Sequence, residues 1–248
     1  FIMFYGGFGT RWKSARPVAV EAGLLATVGV ALTAALVGLF CHFALGWAWL
    51  ESFLMGAVIS STDAATVFSI LRSRKLGLKN NSAPLLEVES GSNDPMSYML
   101  TAVMLSLFDG GITAGGIVWQ IFSQIAFGVA GGLAISGIAV FFLKKINFQS
   151  NGFDLLLFIA IALVSYALPD LLGGNGYLSA YIVGIVLGNS EFPGRKPLVS
   201  FFDAVTSLMQ IAIFFLLGML AIPSHLLSII YNFCGNTPAK AHSKRFLS

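Results

Sequence analysis

The sequence predicts an all-α, polytopic membrane protein, and three observations support this class. Of the 248 residues, 56% are hydrophobic and only 10% are charged, whereas a soluble domain carries roughly a quarter charged residues. The apolar residues form runs of about 20, the length that a helix needs to cross a hydrocarbon core of about 30 Å. Lysines and arginines lie in short clusters between these runs, so they indicate membrane topology rather than nucleic acid binding, and the lipid bilayer is the predicted partner.

The apolar runs predict one partial helix followed by about seven whole transmembrane helices. The partial helix covers 1–9, and the whole spans lie near 18–42, 48–71, 84–108, 115–143, 153–169, 176–190 and 200–222. Span 176–190 is short and follows several glycines, so a broken or tilted helix is expected there. We expect a single transmembrane domain over 1–222, incomplete at both ends, followed by a short segment and a polar, basic tail over 223–248.

Basic residues occur at every second junction between the predicted spans. The basic loops after the first one contain Arg72 and Lys75, Lys144 and Lys145, and Arg195 and Lys196, and the junctions between them contain neither lysine nor arginine. Because lysine and arginine concentrate in cytoplasmic loops, these three loops are predicted to be cytoplasmic. A misplaced span would have broken the alternation, so the alternation supports the set of spans.

Two aspartates lie at the predicted depth of the bilayer midplane. Asp63 is nine residues from Arg72 in the basic loop, and Asp94 is ten residues from Pro84, where the next helix begins. At 1.5 Å per residue these separations correspond to roughly 14 and 15 Å. Antiparallel helices joined by a short loop pack together, so we expect both carboxylates to face one small cavity. An ionisable side chain at membrane depth indicates function, and a structural hydrogen bond between helices is the alternative for a lone aspartate.

The helix that carries Asp94 also presents a polar, oxygen-rich face. Glu89 and Asn93 are four residues apart, as are Ser90 and Asp94, so the four side chains form two adjacent rows on one face. Glu89 fits a structural ion pair at least as well as contact with an ion. Glu87 is predicted to be an ion-access or surface group nearer the cytoplasm.

The backbone near both aspartates is expected to depart from a regular helix. Pro95 removes a backbone donor, and Thr62 and Asp63 lie in the weakly helical run SSTDAAT. Broken helices at the midplane expose carbonyl groups that coordinate ions in transporters. Hard monovalent cations favour carboxylate, hydroxyl and carbonyl oxygens, and a desolvated carboxylate can bind either a proton or a cation. With alternating access, such a site would exchange a cation for a proton without an enzymatic step.

At these residues the chain resembles the monovalent cation:proton antiporter-1 family, most closely its NhaP-like bacterial potassium/proton branch. The main matching stretches are STDAATVFSILRSRKLGLK and LLEVESGSNDPMSYMLT, with weaker matches in FIMFYGGFGT, GYLSAYIVGIVLGN and FFLLGMLAIPS. The TDAA and ESGSNDP pair, in this order and at this separation, is the specific part of the resemblance.

The resemblance implies a role for each polar residue of the central stretch. Thr62 and Asp63 would occupy the unwound crossing of one core helix, and Asp94 would be the main proton- and cation-binding carboxylate. Ser90 would be an ion ligand, and Asn93 would be the neighbour of Asp94 in an asparagine-aspartate motif. A monovalent cation would thus be held by Asp94, Asp63 and Ser90.

The resemblance also implies secondary transport of K⁺ or Na⁺ in exchange for H⁺, with no cofactor beyond the transported ions. It implies a multi-pass protein of the inner (plasma) membrane of the cell, and a homodimer in the full-length protein. Compared with the family pattern, this chain is expected to lack helices at both ends.

Two positions depart from the family pattern. Glu89 would be a structural acid that pairs with an arginine on a later helix, but no lysine or arginine lies inside any predicted span. Tyr5 stands in FIMFYGGF, where family members often carry an acid, so no third site carboxylate is predicted there.

Two alternatives to an active antiporter are open at this point. The first alternative is that the chain alone is an inactive antiporter fragment. The second is that it is an intramembrane aspartyl protease, a class that also places two aspartates on adjacent helices. Those proteases show Tyr-Asp and Gly-x-Gly-Asp, whereas here Thr62 precedes Asp63 and Asn93 precedes Asp94, so the motifs disfavour this class.

Glycine spacing predicts two close helix contacts. Gly128 and Gly132 are four residues apart, as are Gly184 and Gly188, and small residues at this spacing let helix backbones approach closely. We therefore expect these glycines to pack against neighbouring helices rather than to contact substrate.

Overall fold

The computed structural model describes residues 1–62, 82–110, 112–145, 153–191 and 195–221, with only the backbone of 153–154 and 195–197. These residues are mostly helical and contain no strand, which confirms the predicted all-α class. Asp63 lies outside the described residues, as do Arg72 and Lys75 of the predicted cytoplasmic loop and the tail over 223–248.

Eight helical segments make up the described part of the chain. They are α1 (Ile2–Gly9), α2 (Trp12–Leu45), α3 (Trp49–Ile59), α4 (Ser82–Phe108), α5 (Ala114–Lys145), α6 (Phe153–Leu171), α7 (Gly176–Gly188) and α8 (Arg195–Leu220). Each overlaps a predicted span in order. Lys144 and Lys145 form the last turn of α5, and Arg195 and Lys196 begin α8.

Three segments are long and apolar enough to cross a membrane. Among the described residues these are α2, α5 and the part of α8 over Leu198–Leu220, while Trp49–Ile59, Leu155–Leu171 and Gly176–Gly188 are shorter apolar helices. Helix α7 is continuous and short, rather than broken. The number of complete crossings stays a prediction, because the span predicted over 48–71 is described only as far as Thr62.

Helix α2 begins earlier than predicted and is not uniform. It starts at Trp12 rather than near residue 18, passes through a 3₁₀ turn at Arg16–Val18, and contains a π-helical stretch at Leu25–Gly29. It ends at Leu45 because Gly46 adopts a left-handed conformation with φ of 70°. The Gly46 N–H then donates to the carbonyl of His42 at 3.1 Å, a common C-terminal cap.

Helix α7 is the centre of the packing, and it contacts α1, α4, α5 and α6. A Cβ added to Gly184 would lie 2.1 Å from the Phe4 carbonyl oxygen, and one added to Gly188 would lie 2.2 Å from that of Phe8. In the opposite direction, from α1 to α7, a Cβ on Gly7 would lie 2.3 Å from the Tyr181 carbonyl oxygen. Contacts this close need glycine, so the predicted packing role of Gly184 and Gly188 is confirmed.

The second glycine pair makes the corresponding contact between α5 and α7. A Cβ on Gly128 would lie 3.0 Å from the Asn175 carbonyl oxygen, and one on Gly132 would lie 3.1 Å from that of Ser179. The predicted packing role of this pair is therefore also confirmed. The start of α7 is held close against the middle of α5.

Aromatic rings fill the space between α1, α6 and α8. Phe4, Phe8, Phe158 and Phe202 are all buried, and the ring centroids of Phe4 and Phe202 are 5.4 Å apart. This core lies on the face of α1 and α7 that packs against α6 and α8. Helices α3 and α4 pack against each other, and α4 also contacts α1 and α7. The polar site lies in this region.

Candidate functional site

The C-terminal end of α3 shapes the first side of the site. Regular helix ends at Ile59, and Ser61 and Thr62 are not helical. The hydroxyl of Ser60 donates to the Ala57 carbonyl at 2.7 Å. The backbone at Thr62 is therefore non-helical, as predicted, and the C-terminal end of α3 places a partial negative charge beside the site.

The polar face of α4 forms the second side. Ser90 and Asn93 are buried on this face, and the Ser90 and Thr62 hydroxyl oxygens are 3.2 Å apart. The Asn93 amide donates to the Thr62 hydroxyl at 2.5 Å and to the Glu89 carboxylate at 3.3 Å. The structure thus brings together Thr62, Ser90, Asn93 and Glu89, which the sequence analysis had selected.

Asp94 lies beside this group and bonds to a residue that the sequence analysis missed. The Ser61 hydroxyl donates to Asp94 Oδ1, and the Asp94 side chain is half-buried. Ser61 directly precedes the Thr62-Asp63 motif, and this adjacency was the available signal. A hydroxyl just beyond the end of α3 therefore contacts the carboxylate on the neighbouring helix.

A cavity of about 380 Å³ opens beside Asp94. Its polar lining comes from Ser61, Asp94, Ser97, Tyr98, Thr101 and Tyr177, and Ile2, Met3 and Val58 supply apolar surface. Among these described lining residues Asp94 carries the charge, and the others offer hydroxyl groups or apolar surface. Such a lining suits a hydrated monovalent cation, which favours hard oxygen ligands.

A further oxygen atom suited to a hard cation lies in the group formed by Thr62, Ser90 and Asn93, which is not part of the described cavity lining. The Asn93 side-chain oxygen is buried and has no hydrogen-bond donor among the described residues. No group of three or more His, Cys, Asp or Glu side chains that could hold a metal ion occurs in the described part of the chain. Here the acid is combined with neutral oxygens, an arrangement that suits a weakly held monovalent ion better than a transition metal.

Glu89 bonds to an amide rather than to a base. Its described contact is with the Asn93 amide, and no lysine or arginine pairs with it among the residues that the structure describes. The arginine partner that the resemblance implies is therefore not found in this part of the chain. Glu89 instead fixes the Asn93 amide group, which also reaches Thr62.

Pro95 does not interrupt α4, contrary to the disturbance expected there. The helix runs through Pro95 from Ser82 to Phe108, and Pro95 is fully buried. The Asn175 amide donates to the Pro95 carbonyl at 2.8 Å. The proline is held in the helix by packing and by this bond from α7, neither of which local propensity could show.

Tyr5 makes a contact that the sequence analysis also missed. Its hydroxyl is 3.3 Å from Asp203 Oδ1 on α8. Asp203 is exposed and lies outside the cavity wall just described. Tyr5 on α1 therefore contacts an acid that lies on another helix. The sequence of α1 alone does not reveal this contact.

Comparison with a solved structure shows which class of protein has this fold. The chain superposes on the sodium proton antiporter MjNhaP1 from Methanocaldococcus jannaschii with a TM-score of 0.75 and 23% sequence identity, over 95% of this chain and 60% of that one. At this identity the likeness concerns the fold alone. The chain therefore shares the all-helical fold of that membrane protein.

Sequence relatives narrow the class to a family. The family described as "Sodium/hydrogen exchanger, transmembrane" matches residues 1–234, and this chain belongs to it. The chain is 37% identical over 227 residues to the K(+)/H(+) antiporter NhaP of Alkalimonas amylolytica, covering 91% of this chain and 39% of that protein.

Two further relatives are named as antiporters of different cations. The chain is 36% identical over 231 residues to the K(+)/H(+) antiporter NhaP2 of Shewanella sp. strain MR-4, covering 92% of this chain and 40% of the relative. It is 27% identical over 221 residues to the Na(+)/H(+) antiporter NhaS2 of Synechocystis sp., covering 87% of this chain and 39% of the relative. The chain thus spans about 40% of the length of the curated relatives that it matches.

Proposed function

We propose that this chain contributes the ion-handling helices of a secondary transporter that exchanges K⁺ or Na⁺ for H⁺. One observation carries the proposal: the Asp94 carboxylate lies on the wall of a cavity of about 380 Å³, beside the non-helical end of α3. An ionisable side chain within a transmembrane helix is rare and indicates a functional site. Family membership supports the same class of function.

The exchange follows from the chemistry of one carboxylate. A proton and a monovalent cation each neutralise Asp94, so its binding of one opposes its binding of the other. If the cavity opens to one side of the membrane at a time, each binding event carries one ion across. The protein then needs no enzymatic step and no cofactor beyond the transported ions.

The neighbouring polar side chains have separate proposed roles. Ser90 and Thr62 supply hydroxyl oxygens to the cation, and Asp63 supplies a second carboxylate from the segment that follows Thr62. Asn93 orients the site through its bonds to Thr62 and Glu89. Glu89 acts as a structural acid, because its described contact is with this amide.

The membrane setting completes the proposal. The protein crosses the plasma membrane several times, with the loops that contain Arg72 and Lys75, Lys144 and Lys145, and Arg195 and Lys196 on the cytoplasmic side. The full-length protein forms a homodimer, which crosslinking in native membranes would detect as a species of twice the protomer mass. Failure to detect any such species would contradict the proposed dimer but not the proposed ion site.

The direct test is ion-dependent proton movement in proteoliposomes that contain the full-length protein. Addition of K⁺ or Na⁺ should collapse an imposed pH gradient, and Asp94→Asn should abolish the collapse, because the amide cannot exchange a proton. Asp109→Asn is the matched control, since Asp109 is an exposed acid just beyond α4. Exchange that survives in Asp94→Asn would contradict the proposed site.

Electrical recording on solid-supported membranes with K⁺, Na⁺ and Li⁺ in turn would identify the transported cation. Relatives named as K⁺/H⁺ and as Na⁺/H⁺ antiporters both match the chain, so the three ions are compared at equal concentration. Absence of a current with every ion, together with no collapse of the pH gradient, would overturn the proposed function.

A further inference from the structure

Asn175 makes bonds to three helices from one buried position. Only 2% of its surface is exposed. Its side-chain oxygen accepts from the Leu178 N–H at 3.0 Å and so caps the start of α7. Its backbone N–H donates to the Gln124 carbonyl on α5 at 2.9 Å, and its side-chain amide donates to the Pro95 carbonyl on α4 at 2.8 Å.

The bond to Pro95 is not part of the cap. A helix N-cap needs only a side-chain acceptor, which serine, threonine and aspartate supply as well as asparagine does. The amide group is a further donor, and here it reaches the residue that follows Asp94 in the chain. The choice of asparagine over the other capping residues is explained by this second bond.

The bond connects two walls of the same cavity. Tyr177, two residues after Asn175, lines the cavity from α7, and Asp94 lines it from α4. The bond at Pro95 therefore sets where the α4 backbone lies relative to α7, next to the carboxylate. Close contact between Gly128 on α5 and the Asn175 carbonyl holds the donor itself in place.

We propose that Asn175 is a positioning residue for the exchange at Asp94. Its amide holds the α4 backbone at Pro95 against the start of α7, and so holds Asp94 at the cavity wall in the cation-binding arrangement. Loss of this donor lets the backbone beside Asp94 shift, which weakens cation binding while leaving the carboxylate present. This role rests on the proposed function of Asp94.

The test is cation-dependent exchange by Asn175→Ser in the full-length protein. Serine keeps the capping oxygen and lacks the amide donor. We expect the half-saturating K⁺ or Na⁺ concentration to rise about two- to tenfold, the effect of one lost neutral hydrogen bond, with the maximal rate within about twofold of wild type. Asn175→Thr, which also keeps a capping oxygen, removes the donor and adds no charge, should shift the half-saturating concentration in the same direction.

Asn189→Ser is the matched control at the opposite end of α7. The Asn189 amide donates to the Thr10 carbonyl at 2.8 Å, and its side-chain oxygen accepts from the Trp12 N–H at 2.8 Å. It therefore also joins α7 to other backbone, but it lies away from Asp94. It should lower thermal stability without changing the half-saturating concentration.

The outcomes separate the two proposals. An unchanged half-saturating concentration in a folded Asn175→Ser protein, with active wild type, overturns the positioning role and leaves the function of Asp94 intact. Failure of both Asn175 variants to fold, while Asn189→Ser folds, makes Asn175 a purely structural residue and also overturns the role. Absence of exchange in wild type overturns the proposed function and the positioning role together.

Discussion

At the scale of single residues, Asp94 differs from other acids of the chain in its surroundings. Asp109 and Asp170 are exposed and lie at or just beyond helix ends, where a charge costs less than in the middle of a transmembrane helix. Asp94 is half-buried, contacts the Ser61 hydroxyl and faces a cavity. The local arrangement, rather than the presence of an acid in an apolar run, supports this residue as the proposed exchange site.

The Ser61 hydroxyl should contribute directly to ion exchange. A hydrogen bond to a charged group contributes about 1.5–3 kcal/mol, and about 1.4 kcal/mol corresponds to a factor of ten in an equilibrium constant. Ser61→Ala should therefore lower the exchange rate at subsaturating cation roughly ten- to hundredfold. The measurement is the initial rate of pH-gradient collapse in proteoliposomes at low K⁺ or Na⁺.

Ser60→Ala provides the control for this prediction in the adjacent residue. The Ser60 hydroxyl donates to the Ala57 carbonyl, which also accepts from Ser97 at 2.7 Å, so the carbonyl keeps a donor in the variant. Exchange should stay close to that of wild type. Equal losses in Ser60→Ala and Ser61→Ala would show that the bond to Asp94 has no special effect.

At the scale of helices, α1 and α7 are joined by unusually close backbone contact. The glycines on each helix lie against carbonyl groups of the other, as the Gly7 contact with Tyr181 and the Gly184 contact with Phe4 show. In a membrane, packing of this kind replaces much of the hydrophobic drive that holds soluble helices together. The contact therefore supports the short helix α7 and, through Asn175, the cavity wall.

A methyl group at this contact should destabilise the fold. The Cβ of Gly7→Ala would lie 2.3 Å from the Tyr181 carbonyl oxygen, so α1 and α7 must separate. Overpacking of this kind costs about 1–3 kcal/mol. The thermal unfolding temperature in detergent should fall clearly, as followed by the fluorescence of the tryptophans or by loss of the monodisperse peak.

Gly6→Ala tests whether the effect belongs to the contact or to the helix. Gly6 is the neighbouring residue of α1, and a Cβ there meets nothing within 4 Å. Because alanine favours helix more than glycine does, the unfolding temperature should stay the same or rise slightly. A similar fall in both variants would mean that the α1–α7 contact does not limit stability.

At the scale of the whole molecule, the exterior is apolar over long stretches and basic at particular helix ends. Large apolar side chains of α5 and α8 are exposed, including Trp119, Phe141, Phe214 and Phe215. Lys144 and Lys145 lie at the end of α5, and Asp109 lies at the opposite end of the α4–α5 pair. This distribution suits a protein surrounded by lipid, with the end of α5 in the cytoplasm.

The orientation can be measured with single cysteines in a background without Cys41 and Cys234. A membrane-impermeant maleimide should label Asp109→Cys in intact cells. Lys145→Cys should be labelled only after the membrane is permeabilised, because the basic end is predicted to be cytoplasmic. The reverse pattern would invert the proposed topology while leaving the geometry at Asp94 unchanged.

Much of the candidate site could be predicted from the sequence because its residues are close in the chain or follow helical spacing. Glu89, Ser90, Asn93 and Asp94 lie within two turns of α4, and a period of 3.6 residues places them on one face. The non-helical backbone at Thr62 follows from local propensity. The direct contacts of Thr62 with Ser90 and Asn93 agree with the predicted packing of the two helices.

Other parts of the site depend on residues that are far apart in the chain. Asn175 reaches Pro95 across 80 residues, and the cavity combines side chains from α1, α3, α4 and the start of α7. No periodicity within one helix specifies which neighbour a side chain meets. The continuity of α4 through Pro95 also contradicts local propensity, because packing and the bond from Asn175 stabilise the helix there.

The sequence by itself determined the membrane class, the order of the helices, the family and the acids worth testing. These properties follow from composition, run length and short motifs, which need no knowledge of three-dimensional contacts. Only the tertiary structure decided that Ser61 contacts Asp94, that Glu89 meets an amide, and that Asn175 joins α7 to the backbone beside the carboxylate. The physical reason is that hydrogen bonds and cavity walls depend on distances between separate helices, and close packing at glycines sets those distances.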